Sequence, residues 1–286
     1  LGNLLHPVRV AAISFLNPAP LMWDLEHPPL STELAERYQL HYTLPALCAD
    51  ELLAGRADLG LIPIASLTPE LAIVPGCTIA SLDRVRSIQL IVRGSHALET
   101  VRTVAADNAS RSSRAYVEIL FRKFLGTSPE FLTQPADPVA MLRQADAALL
   151  IGDPALLAVE ERARIEEAVG PCQWFDIAHE WTTRTGLPWV AAVWALRPEA
   201  LTESHIPSSR IISDLVGSRD HGLAHIEDLV REWAPRLSLP TKVIHDYLSV
   251  NIHYVLTDEC VQAMRLFRSY AAELEILPPL PGLRFL

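Results

Sequence analysis

Apolar and polar positions along the chain form short β-like runs separated by helical ones as far as residue 198, and a helical period from there to the end. Residues 8–16 (VRVAAISFL) predict a first strand that runs into Asn17, Pro18, Ala19 and Pro20; proline offers no ladder N–H, so the strand stops at Asn17. Residues 38–44 alternate as a strand, residues 50–54 suit a helix closed by Gly55, and residues 58–62 form another buried strand halted by Pro63. Residues 73–80 and 87–92 (SIQLIV) add two strands. β segments interleaved with helices in this order predict a mostly parallel sheet.

A new cycle opens at Val101: the strand VRTVAAD, the turn NASRSS at 108–113, then a helix with Tyr116, Ile119, Leu120 and Phe124 on one face. The first N–H groups of such a helix lack partners and carry the positive end of its dipole, so a hydroxyl-rich turn before them is a ready anion site. Residues 146–151 predict a strand ending at Gly152, Asp153 and Pro154, with Asp153 as the N-cap of the next helix. Residues 175–198 divide sharply. Glu180, Thr182, Thr183, Arg184 and Thr185 read as a hydroxyl-rich loop closed by a turn at Gly186 and Pro188, and residues 189–196 (WVAAVWAL) as a strand buried on both faces. Beyond Pro198 the pattern is helical, and Thr257 before Asp258 and Glu259 marks a helix whose Cys260, Met264, Phe267, Ala271 and Leu274 form a core-facing stripe.

These elements assemble as an α/β chain of two lobes. Residues 94–190 make a complete unit, expected to fold alone, inserted between residues 1–93 and 191–286, with crossings near Arg93 and Val190. Paired crossings make a clamshell that closes by hinge motion on a small ligand. The expected architecture is a type II periplasmic-binding-protein-like clamshell with a C-terminal helical segment.

Length and composition narrow the function. At 286 residues and 50% apolar content the chain supports two cores, and its apolar runs are far too short to span a bilayer. A net charge of −10 without a lysine-rich block excludes a nucleic-acid footprint. Cys48, Cys77, Cys172 and Cys260 are widely spaced, which favours free buried thiols over a disulfide framework or zinc site, and His245 and His253 lack any metal-ligand spacing. The first residues carry no secretory pattern.

Several motifs resemble one family in order. ISFLNPAPL at 13–21, AGRADLGLIPIASL at 54–67, SIQLIV at 87–92, NASRSS at 108–113, LLIGDPALL at 149–157 and FDIAHEWTTRTGLPWVAAVWA at 175–195 are similar to the chorismate dehydratases of the futalosine route to menaquinone. The C-terminal helices carry no comparable motif. The resemblance implies a cytoplasmic lyase that removes water from chorismate without a cofactor or metal, giving 3-[(1-carboxyvinyl)oxy]benzoate. Carried over by motif, Asn17 and Ser87 are the expected catalytic residues. Ser110, Arg111, Ser112, Ser113, Asp153, Thr185 and Gly186 are expected to hold the substrate. The turn departs from the family in reading NASRSS where a threonine more often precedes the last serine, and Ser112 supplies a hydroxyl there. Neutral hydroxyl and amide groups are not strong bases at neutral pH, so the substrate's own enolpyruvyl carboxylate is the expected base, with Asp153, His179 and Glu180 as the protein alternatives. The rival reading is a solute-binding protein that holds a small carboxylate anion without chemistry.

Overall fold

Strands β1 (Val8–Ile13), β2 (Tyr38–Thr43), β3 (Leu59–Pro63) and β4 (Ala72–Ser81) follow the apolar runs of the first 81 residues. A computed structural model describes residues 6–95, 97–107 and 111–286 of the chain. β5 (Ile88–Arg93), β6 (Thr103–Asp107), β7 (Glu130–Gln134), β8 (Ala147–Ile151) and β9 (Cys172–Asp176) come next, then β10 (Trp189–Leu196) and β11 (His253–Val255). They form two sheets, a six-stranded one ordered β11-β4-β10-β3-β1-β2 and a five-stranded one ordered β7-β6-β8-β5-β9.

Both sheets are mixed, which corrects the mostly parallel sheet expected from element order. β1 is parallel to β2 and β3, but β10 runs antiparallel to β3 and β4. In the other sheet β6 is parallel to β7 and β8, while β5 is antiparallel to β8 and β9. The reversals arise where the chain passes between sheets, because a strand that enters or returns directly is not turned by a crossover helix.

The first crossing also lies earlier than expected. β5 sits between β8 and β9, so residues 82–87 cross and the strand assigned to the first lobe belongs to the second. The return crossing is at residues 186–188, since all of β10 lies in the six-stranded sheet.

Two local expectations change as well. The polar stretch before Gly186 is the helix Ile177–Thr185, not a loop: Asp176 caps it by accepting from Ala178 N at 3.1 Å and His179 N at 3.3 Å, and Gly186 ends it in the left-handed region at φ 69°. The tail is not wholly helical, since β11 extends the edge of the six-stranded sheet beside β4.

One continuous core joins the lobes. Within it Tyr116, on the helix Arg111–Ile119, meets Trp181 edge-on at 4.9 Å and Phe267 of the C-terminal helix Asp258–Glu273 at 4.4 Å. The buried Tyr116 hydroxyl donates to Val190 O at 2.9 Å, so the helix that opens the second lobe is tied to the first strand of the return. A second, smaller core, with Met141, Leu142, Leu150 and Ile165, covers the outer face of the five-stranded sheet.

Candidate active site

The carboxyl ends of β1, β3 and β8 and the first residues of β5 and β10 converge between the lobes, where ligands bind in open α/β sheets. They enclose a cavity of about 70 Å³. Cavities that hold small organic ligands run from roughly 300 Å³ upward, so this one must widen to take such a ligand. Phe15 helps to shut it: its ring lies so close to Gly152, at φ +60°, that a Cβ there would come within 2.9 Å. Any other residue at 152 meets both this ring and a strained backbone.

Five of the expected site residues line this cavity: Asn17, Ser87, Arg111, Ser112 and Ser113. β1 ends at Ile13, short of the expected stop at Asn17, so Asn17 lies in the segment beyond the strand, and its Oδ1 is buried with no hydrogen-bond partner. Such an atom is costly to bury unless something supplies a donor. Ser112 sits in the first turn of its helix and accepts from Ala65 N of the other lobe at 3.1 Å. Arg111 reaches across the mouth to Asp50, with bonds of 3.0 and 2.7 Å. Ser110 lies outside the described residues.

Ser87 is held most tightly. Its carbonyl accepts from Gly152 N at 2.8 Å, and its hydroxyl lies 2.7 Å from that of Tyr247. The residue before it, Arg86, adopts φ 62°, an uncommon state for a non-glycine residue. Asp176 fixes that turn by accepting from Val85 N at 3.2 Å and Arg86 N at 2.7 Å. Burial raises the Asp176 pKa even against these backbone donors.

Asp153 stands beside the cavity rather than capping its helix. The helix starts at Gly152, and the Asp153 carboxylate accepts instead from Leu16 N of the other lobe at 3.1 Å. Burial pushes its pKa up to about 6.

Thr185 and Gly186 do not reach the cavity. Thr185 Oγ1 donates to Trp181 O at 2.8 Å and accepts from Leu187 N at 3.2 Å, so it closes the helix end. His179 pairs with Asp83 at 2.6 Å and Glu180 with Arg184 at 2.6 Å, which leaves both outside the lining.

Trp189 and Tyr247 were not among the expected site residues. Trp189 lines the cavity with its Nε1 buried and unpartnered. In sequence it reads as the start of an apolar strand, and only its place straight after the turn hinted otherwise. Tyr247 lies in a segment without any motif.

The family described as menaquinone biosynthesis matches residues 8–273. The chain belongs to this family. Among individual proteins, the menaquinone-biosynthesis chain is 27% identical over 224 residues to a chorismate dehydratase of Thermus thermophilus, covering 74% of this chain and 79% of that protein. Its fold is shared with a crystal structure from Archaeoglobus fulgidus, at TM-score 0.70 and 14% identity over 95% of this chain and 99% of that one. It is shared too with the periplasmic aliphatic sulphonate binding protein of Escherichia coli, at TM-score 0.65 and 15% identity over 95% and 88% of the two chains. The expected two-lobe, periplasmic-binding-protein-like fold is therefore present. Among the described residues no helix is long and apolar enough to cross a membrane, and no cluster of His, Cys, Asp and Glu is gathered as a metal site.

Proposed function

We propose that this protein dehydrates chorismate to 3-[(1-carboxyvinyl)oxy]benzoate, the reaction expected from the sequence motifs. One observation carries the reading: the described cavity lining holds hydroxyls, an amide, an indole and one arginine, and no carboxylate or imidazole. Chorismate becomes aromatic when its ring C3 loses a proton and its C4 loses hydroxide, so the driving force lies in the substrate. What remains for the protein is orientation and stabilisation of developing charge in a water-poor cleft.

In this mechanism the enolpyruvyl carboxylate removes the C3 proton while Ser87 and Asn17 hold the ring and the departing hydroxyl. Hydroxide leaves C4 with the electron pair of its bond, takes up a proton and departs as water. Ser112, Ser113 and the first turn of their helix, with Ser110 before it, receive a substrate carboxylate. Arg111 adds charge at the mouth once it exchanges Asp50 for the ligand. The route is expected to operate in the cytoplasm without a cofactor.

Incubating purified protein with chorismate and following its ultraviolet absorbance tests the proposal. Loss of the diene band with formation of an aromatic product is the expected result. Binding with chorismate left intact over hours would leave a carboxylate-binding protein instead; the same fold serves a binding protein for aliphatic sulphonates.

A further inference from the structure

The C-terminal segment carries none of the motifs, yet it reaches the site at one point. The helix Thr241–Asp246 passes into a π-helical turn, Tyr247–Asn251, a distortion found often at functional sites. Tyr247 is 0% exposed, and its hydroxyl lies 2.7 Å from Ser87 Oγ. From the same turn, Asn251 Nδ2 donates to Arg84 O at 3.1 Å, and β11 then pairs with β4. Residues 247–251 thus hold the crossing segment at Ser87 and Arg84, and β11 holds β4 just before it at Ala80 and Cys77.

We infer that Tyr247 is a positioning residue for the proposed dehydration: its phenol donates to Ser87 Oγ, so the single Ser87 proton is directed into the cavity, toward the departing hydroxyl. A serine hydroxyl turns freely among staggered positions and has one proton to give. A donor on one of its lone pairs removes the orientation in which that proton points away from the substrate. The phenol keeps its own proton throughout, because burial raises its pKa far above the ordinary tyrosine value. Glycine 152 N–H on the Ser87 carbonyl and the Asp176 clamp on Val85 and Arg86 hold the backbone, so the Tyr247 contact sets the remaining side-chain freedom. The C-terminal helices therefore complete the active site as well as covering the six-stranded sheet.

This inference rests on the proposed reaction, and a double-mutant cycle separates the two. Wild type, Tyr247→Phe, Ser87→Ala and the double variant are compared for chorismate turnover and for melting temperature. Tyr247→Phe is expected to lower kcat by roughly five- to tenfold, the worth of one net hydrogen bond, with KM within about twofold. The double variant is expected to be no slower than Ser87→Ala alone. Active wild type with an unchanged kcat in Tyr247→Phe overturns the inference by itself, as does a double variant slowed by both factors independently. Wild type that leaves chorismate intact overturns the reaction and this inference together. If Tyr247→Phe does not fold, Asn251→Ala takes its place: loosening the same segment is expected to lower kcat at unchanged KM, and an unaltered kcat overturns the inference.

Discussion

Asp153→Asn tests what it costs to bury a carboxylate between the lobes. Asp153 is 9% exposed and, among the described residues, its carboxylate accepts one hydrogen bond, from Leu16 N across the cleft. Burial moves its pKa from 3.8 to about 6. The folded chain therefore holds this proton more tightly than the unfolded chain does. The corresponding stability is complete below about pH 4 and is lost as pH rises through 6. A shift of about two units corresponds to about 3 kcal/mol once the group is ionised. That figure is a ceiling, because parting of the lobes lets the carboxylate regain water. Asparagine keeps an oxygen able to accept from Leu16 N and removes the titration. Thermal melts of both proteins from pH 4 to pH 8 are the assay. At pH 4 the two are expected to melt together. At pH 7.5 the variant is expected to melt several degrees higher, since 1 kcal/mol moves the midpoint by about 2–4 °C in chains approaching this size. A difference that stays constant from pH 4 to pH 8 would refute the reasoning, because then the charge is not what burial penalises.

Three further outcomes follow from the geometry. Asn17→Asp places a carboxylate in a cavity proposed for a dianion, so calorimetry should show chorismate binding weakened by about 10²-fold or more; unaltered binding would remove Asn17 from the site. Thr185→Val is expected to leave kcat/KM unchanged and to lower stability by about 1 kcal/mol, because its hydroxyl serves only the helix end; a collapse in turnover would return Thr185 to the substrate. A fragment of residues 94–190 lacks β5, the strand between β8 and β9, and is expected to show no cooperative melt by circular dichroism; a sharp transition would contradict the corrected crossing.

What could be read from the chain alone was whatever local chemistry dictates. Pro63 ended a strand where a cleft was needed, and continuous apolar runs at 147–151 and 189–196 placed strands inside sheets, whereas β1 stopped at Ile13, before the prolines after Asn17. The same local rules misled where two roles compete for one residue. Asp153 is a good N-cap in isolation, but Leu16 N from the other lobe claims it. Thr182, Thr183 and Thr185 look like a loop by composition, yet Asp176 and Gly186 cap them into a helix whose buried Trp181 anchors it against Tyr116.

Tertiary structure alone decided the partners. Strand β5 was legible, but the sheet it joins was not, because its apolar side chains fit either sheet and only pairing with β8 and β9 chooses. Tyr247 lies 160 residues from Ser87, and no periodicity or motif can announce a hydrogen bond over that separation. A sequence records which groups want burial or a partner; the fold settles which of the available groups arrives, since a contact between distant segments depends on every element packed between them.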